Sequence, residues 1–223
     1  MSIASELASL GTQINAGITH CNEALVAKGV TGAGTLWEVG DRIGEIVGGL
    51  NNDVLIDLIE GDITELEIPD GATQIYSYAL FGRDLISVTI PASVTRISLH
   101  AFESCLYLSS VIFGEDSNLS SIGESAFYLC TALTSIKMPF ALQTIEKSAF
   151  GECYPLTSLI LPRTTSVVTL KNSNALYSTK IESGSGYIYV PRALLSSYQS
   201  ATNWSTYSSR FRAIEDYPEI TGG

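Results

Sequence analysis

The chain has 223 residues and a formal net charge of -11, with 12 Lys plus Arg against 23 Asp plus Glu. Such a balance offers no basic footprint to displace phosphate counterions, which argues against a nucleic-acid partner. Hydrophobic residues make up 45% of the chain, so it has material for a core, and no apolar run approaches the roughly 18 residues of a membrane span.

The first residues, MSIASELASLGTQINAG, carry no basic region and no unbroken apolar run, and they do not read as a secretory signal. The sequence therefore predicts a soluble chain, which would leave a cell by lysis, by an unconventional route, or with a leader that precedes these residues. Ile3, Leu7, Leu10, Ile14, Cys21 and Leu25 recur at three- and four-residue steps and predict one amphipathic helix, stopped near Lys28-Gly29. Gly11 and Gly17 each weaken it by about 1 kcal/mol relative to alanine, so the helix needs a partner surface. A coiled coil between subunits, making a homo-oligomer, and packing on the next helix satisfy the stripe equally. That next helix is predicted around Leu36, Val39, Ile43 and Ile46, and the stretch NNDVLIDLIEGD is expected to cover the open edge of the first repeat. The phrase ALVAKGVTGAGTLWEVGDRIGEI resembles the short helical segment of tail-associated proteins of phages and prophages, which implies an assembly role in a tail accessory.

From Ile63 onward one phrase recurs. ITELEIP, LISVTIP, LSSVIFG, LTSIKMP and LTSLILP start at residues 63, 85, 108, 133 and 156, intervals of 22, 23, 25 and 23. The longest interval holds GEDSN, expected to bulge as a loop. After each of the first four phrases comes an isoleucine, at Ile75, Ile97, Ile122 and Ile145, then Ala79-Leu80, Ala101-Phe102, Ala126-Phe127 and Ala149-Phe150. Cysteine follows three residues later at Cys105, Cys130 and Cys153. A turn of about 23 residues cannot bury its own apolar edge, so such copies stack into a solenoid with identical side chains in ladders. Each phrase becomes one strand of a parallel sheet, with positions 1, 4 and 6 inward and positions 3 and 5 outward. Pro69, Pro91, Pro139 and Pro162 end the strands because proline donates no ladder hydrogen bond.

The pattern L-x-x-L-x-I-P, V-x-x-I, A-F-x-x-C over residues 63 to 162 resembles the BspA-type leucine-rich repeat of bacterial surface proteins. The resemblance implies a repeat solenoid, mostly β with short helical turns, a recognition or adhesion role at the cell surface, and no enzymatic activity. The first copy departs from it with Leu80 and Arg83, and RTTSVVTLKNSNALYSTK loses Ala-Phe and Cys, as capping copies do. The expected organisation is a helical segment over residues 1–50, a solenoid over 51–186 and a cap over 187–223. In the cap a strand is predicted at Tyr187–Val190 and two short helices around residues 191–199 and 203–211, closing the last edge. Tyr187, Tyr189, Tyr198, Trp204 and Tyr207 read as its filling, with a sugar platform as the alternative.

Candidate chemistry is sparse. Cys105, Cys130 and Cys153 lack the paired short spacing of a zinc site and read as a buried ladder, so neither metal nor cofactor is implied. His20 and His100 adjoin no obvious nucleophile. Glu65 and Glu67, a carboxylate pair on one strand, read as a charged rim and not as a glycosidase pair. The outward positions are the candidate binding face: Ser87, Ser110, Ser135 and Ser158 at position 3, with Thr89, Ile112, Lys137 and Ile160 at position 5. They suit a protein or glycan partner or, in the blander reading, keep the sheet solvated.

Overall fold

A computed structural model describes residues 63–221. The two N-terminal helices, the covering stretch before Ile63 and the tail-protein resemblance all lie outside the described residues. Each turn of the coil contributes a front strand and a shorter back strand. In chain order these are β1 (Glu65–Glu67), β2 (Gln74–Ile75), β3 (Ser87–Ile90), β4 (Arg96–Ile97), β5 (Ser110–Phe113), β6 (Ser121–Ile122), β7 (Ser135–Lys137), β8 (Thr144–Ile145), β9 (Ser158–Ile160) and β10 (Thr169–Leu170). The back strands form one parallel five-stranded sheet in which Ile75, Ile97, Ile122, Ile145 and Leu170 stand in register. Between the sheets, the leucines that open the phrases, Leu85, Leu108, Leu133 and Leu156, are fully buried. Period-2 alternation in the phrase accounts for this: one face of each strand is apolar and turns inward.

Phe102, Phe127 and Phe150 fill the turn that joins back strand to front strand. Their rings stack in parallel, with centroids 5.1 Å and 5.4 Å apart. The cysteines below them are more than packing. The thiol of Cys105 donates to the Leu80 carbonyl at 3.0 Å, Cys130 to Phe102 at 3.3 Å and Cys153 to Phe127 at 2.9 Å, so each turn is tied to the one before. Thr95, Ser109, Ser120, Thr131 and Thr157 do the same with hydroxyls elsewhere on the coil. In the degenerate fifth copy Ala175-Leu176 takes the Ala-Phe place, since Phe150 N–H bonds the Ala175 carbonyl as Phe127 N–H bonds that of Ala149. Thr179, three residues on and buried, stands where the cysteine would.

The turns bend through left-handed backbone at residues that are not glycine. Tyr78, His100, Ser125 and Ser148 precede the Ala-Phe pair at φ 53–62°, and Ser104, Leu129, Glu152 and Ser178 form a second ladder at φ 57–60°. Such a residue costs roughly 1–2 kcal/mol, which the stacked hydrogen bonds around it must offset. Gly123 answers a different need. A Cβ there would stand 2.6 Å from the Ser98 carbonyl carbon and 2.7 Å from the Leu99 nitrogen, both backbone atoms of the preceding turn. Gly123→Ala is expected to push two turns apart and cost about 1–3 kcal/mol, read as a lower urea midpoint; an unchanged midpoint would show that the stack yields there without strain.

The front sheet departs from the expected continuous one. β1, β3 and β5 pair, and β7 and β9 pair with the cap strands, but no ladder joins β5 to β7. The discontinuity coincides with the two extra residues of GEDSN. Gly114–Ser117 closes a turn there, and Asn118 bonds back to the Ala92 carbonyl through both its backbone and its side chain. The added length offsets the fourth turn from β5. Val111 and Phe113 are left half-buried where their counterparts Val88 and Ile90 are fully buried.

The degenerate fifth copy holds a 3-10 turn (Ser173–Leu176) and helix α1 (Lys180–Ser183), and the cap contains strand β11 (Tyr187–Val190), a 3-10 turn (Arg192–Leu194), α2 (Leu195–Ser200), a longer 3-10 segment (Trp204–Arg210), β12 (Phe211–Ala213) and α3 (Pro218–Thr221). Strand β11 falls where predicted, with Pro191 as the cap of the turn after it. The sequence reading missed β12, which pairs in parallel with β11 and ends the front sheet. On the back, side chains close the last strand. Val168 N–H donates to the Tyr198 phenol at 3.0 Å, Trp204 Nε1 donates to the Val168 carbonyl at 2.6 Å, and Asn203 Nδ2 donates to Leu170 at 2.8 Å.

Candidate functional site

The outward face of the front sheet carries two registered rows. Position 3 runs Glu65, Ser87, Ser110, then across the discontinuity Ser135, Ser158 and Tyr187. Position 5 runs Glu67, Thr89, Ile112, then Lys137, Ile160, Tyr189 and Arg212. Ser135, Lys137 and Ile112 are exposed, Ile112 at 52%, and Ser87, Thr89 and Ser110 are half-buried. Ser158 is half-buried as well, so seven of the eight predicted face residues are open or half-open, on two pieces of sheet that no ladder joins.

The eighth, Ile160, is claimed by the cap. Ile160 is only 3% exposed, against the expectation of an outward apolar contact. Its registered neighbour on β11, Tyr189, is buried too, at 6% exposed. Tyr217, from the tail, sets its ring edge-on to Tyr189 with centroids 5.2 Å apart. Burial on this scale raises the Tyr189 pKa above the usual phenol value, the nearby Tyr217 adding to it and Arg212 opposing it.

Beyond Ile160 the face continues onto residues that sequence reasoning assigned to filling or passed over. Tyr187 and Tyr189 point the same way because they alternate along β11, and Arg212 follows from the alternation of Phe211, Arg212 and Ala213. The Arg212 guanidinium carbon lies 4.0 Å above the centre of the Tyr187 ring. Tyr198, Trp204 and Tyr207, by contrast, are buried inside the cap as read. The acidic end of the face is a groove of about 750 Å³ lined by Glu65, Glu67, Asp70, Glu115, Thr89 and Pro91 among others.

The remaining candidates resolve into structure. Burial pushes the Cys105 thiol up to about 12 and the Cys130 thiol well above its usual range, which removes the thiolate that metal binding or nucleophilic attack requires. Among the described residues no three His, Cys, Asp or Glu side chains gather as metal ligands. His100 stacks on Tyr78 at 4.7 Å and its Nδ1 pairs with Glu103. Among the described residues no helix is long and apolar enough to cross a membrane.

With this geometry in view, a family model for the BspA type leucine rich repeat region matches six copies over residues 60–183, more than half of the chain. The chain belongs to the BspA-type leucine-rich repeat family. None of the curated proteins matches it by sequence. Among solved structures it is similar to a leucine rich cell surface protein from Faecalibacterium prausnitzii, at 27% identity and TM-score 0.51 over 66% of this chain and 35% of that one. It is also similar to a leucine rich repeat protein of T. pallidum, at 26% identity and TM-score 0.49 over 59% of each chain. A leucine-rich repeat protein from Bacteroides ovatus matches at 20% identity and TM-score 0.45, over 68% of this chain and 42% of that one. The chain therefore spans between about a third and three fifths of these relatives' length. A BspA-type solenoid of this kind is a repeat scaffold for interaction, a class that is in general not catalytic.

Proposed function

We propose that this BspA-type solenoid is a non-enzymatic recognition module that holds a protein or glycan partner, outside the bacterial cell, on the outward face of its front sheet. One observation carries the reading: Ser87 and Ser110 stand in register beside Thr89 and Ile112, and Ser135 and Lys137 hold the same two positions, exposed, on the next piece of the front. Small hydroxyls let a partner approach the strands closely, and the exposed Ile112 adds apolar contact. The family's surface proteins, the Faecalibacterium relative among them, support the location.

The test is a double substitution, Ser110→Arg with Ser135→Arg, probed against a glycan array and a panel of immobilised purified extracellular-matrix proteins. Two arginines in the middle of the face are expected to lower binding about a hundredfold, an effect of some 2.8 kcal/mol, with circular dichroism unchanged. The matched pair Ser121→Arg and Thr144→Arg on the back sheet should leave binding intact. Equal capture by both double variants would reject the front face.

A further inference from the structure

The charge on the outward face is sorted along its length. Glu65 and Glu67 stand at the N-terminal end, and Lys137 and Arg212 lie in the C-terminal piece of the sheet. Arg212 is the notable member. It pairs with no carboxylate among the described residues. It is nonetheless held still. Its Nη1 donates to the Phe211 carbonyl at 2.8 Å and the Ser209 carbonyl at 3.2 Å, and its plane rests on Tyr187. Tyr187 in turn meets Tyr189 edge-on at 6.4 Å, and Tyr189 is braced by Tyr217. These bonds use only Nη1, so the Nε and Nη2 N–H groups are the donors left for a carboxylate, and a side chain already held has less entropy to lose. Tyrosine with arginine is also the composition at which protein interfaces concentrate their energy.

We propose that the C-terminal end of the outward face, Arg212 on its bed of Tyr187, Tyr189 and Tyr217, is the anchor of this surface and grips a carboxylate side chain of an acidic protein segment. This deepens the recognition reading above and rests on it. The segment lies along the row, its acidic groups toward Arg212 and away from Glu65 and Glu67. A protein segment fits better than an acidic sugar because Arg212 already lies over one face of the Tyr187 ring and Tyr189 is only 6% exposed, which leaves little ring surface for a pyranose to stack on.

Fluorescence anisotropy at low ionic strength tests it with three probes: a labelled decapeptide of alternating glutamate and glycine, its glutamine counterpart, and labelled polygalacturonate. Although the net charge of -11 repels anions overall, binding of the glutamate peptide about tenfold tighter than the glutamine peptide is the expected result. Arg212→Gln should erase that difference, Arg212→Lys should restore only part of it, and Arg96→Gln on the back sheet should leave it unchanged. Equal affinity for the two peptides, an unaffected Arg212→Gln variant, an equal loss in Arg96→Gln, or preference for polygalacturonate would each overturn the proposal. If Ser110→Arg with Ser135→Arg abolishes partner capture while Arg212→Gln does not, the face binds but its anchor lies elsewhere; if neither matters, the recognition face itself falls.

Discussion

Replacing Trp204 with alanine is expected to remove about 3–5 kcal/mol of stability through lost burial and the cavity left behind, before any polar penalty is counted. The indole is fully buried and stands edge-on to Tyr198, Tyr207 and Phe211, with centroids 5.7, 6.5 and 5.8 Å away. It also donates to the Val168 carbonyl, a backbone group facing the open end of the stack. Leaving that carbonyl without a partner adds about 1–3 kcal/mol. Against a total of about 5–15 kcal/mol for an ordinary domain, the sum approaches the whole. In a repeat stack the loss is felt first at the terminal turn, which frays and exposes a strand edge that other chains can pair with. Urea denaturation with light scattering reads both effects. Trp204→Phe keeps most of the ring but not the N–H, so it should cost only the smaller, polar part. A Trp204→Ala protein as stable and as monodisperse as its parent would show that the cap does not close the coil.

The second large effect is at Phe127, the middle ring of the stacked three. It is fully buried, and its carbonyl receives the Cys153 thiol, so it touches both neighbouring turns. Phe127→Ala is expected to cost about 3–5 kcal/mol, together with part of the roughly 0.5–1.5 kcal/mol that each aromatic pair adds beyond area. Phe127→Leu should cost about 1.5 kcal/mol or less, since Leu80 and Leu176 fill the same place at the two ends of the ladder. A midpoint for Phe127→Ala close to that of Phe127→Leu would mean that the turn collapses around the gap.

Most of the solenoid was legible in the sequence because a repeat states its own contacts. When every turn meets a copy of itself, Val88 must meet Val111 and Ile97 must meet Ile122, and periodicity alone gives the register. The same logic placed Ser87, Ser110 and Ser135 on one face and the cysteines in one buried column. It reached no further than the repeat. The left-handed residues His100, Leu129 and Glu152 carry no glycine to betray them, because neighbouring turns and not local preference hold their backbone. The parting of β5 from β7 followed from an insertion that could be located in sequence, but whose effect on the sheet depended on how two turns were offset in space.

The C-terminal end marks the boundary most clearly. The alternation of Tyr187-Ile188-Tyr189-Val190 determined a strand, and the aromatic content after it determined that a cap would be built. Only tertiary structure decided that Ile160 is buried beside Tyr189, that Trp204 closes the back sheet, and that Arg212 comes to rest on Tyr187. These contacts join single, unrepeated residues 25 to 36 positions apart. A repeated pattern is specified once and copied by stacking, whereas a contact between unlike segments depends on where the chain's return brings them, and no local period encodes that.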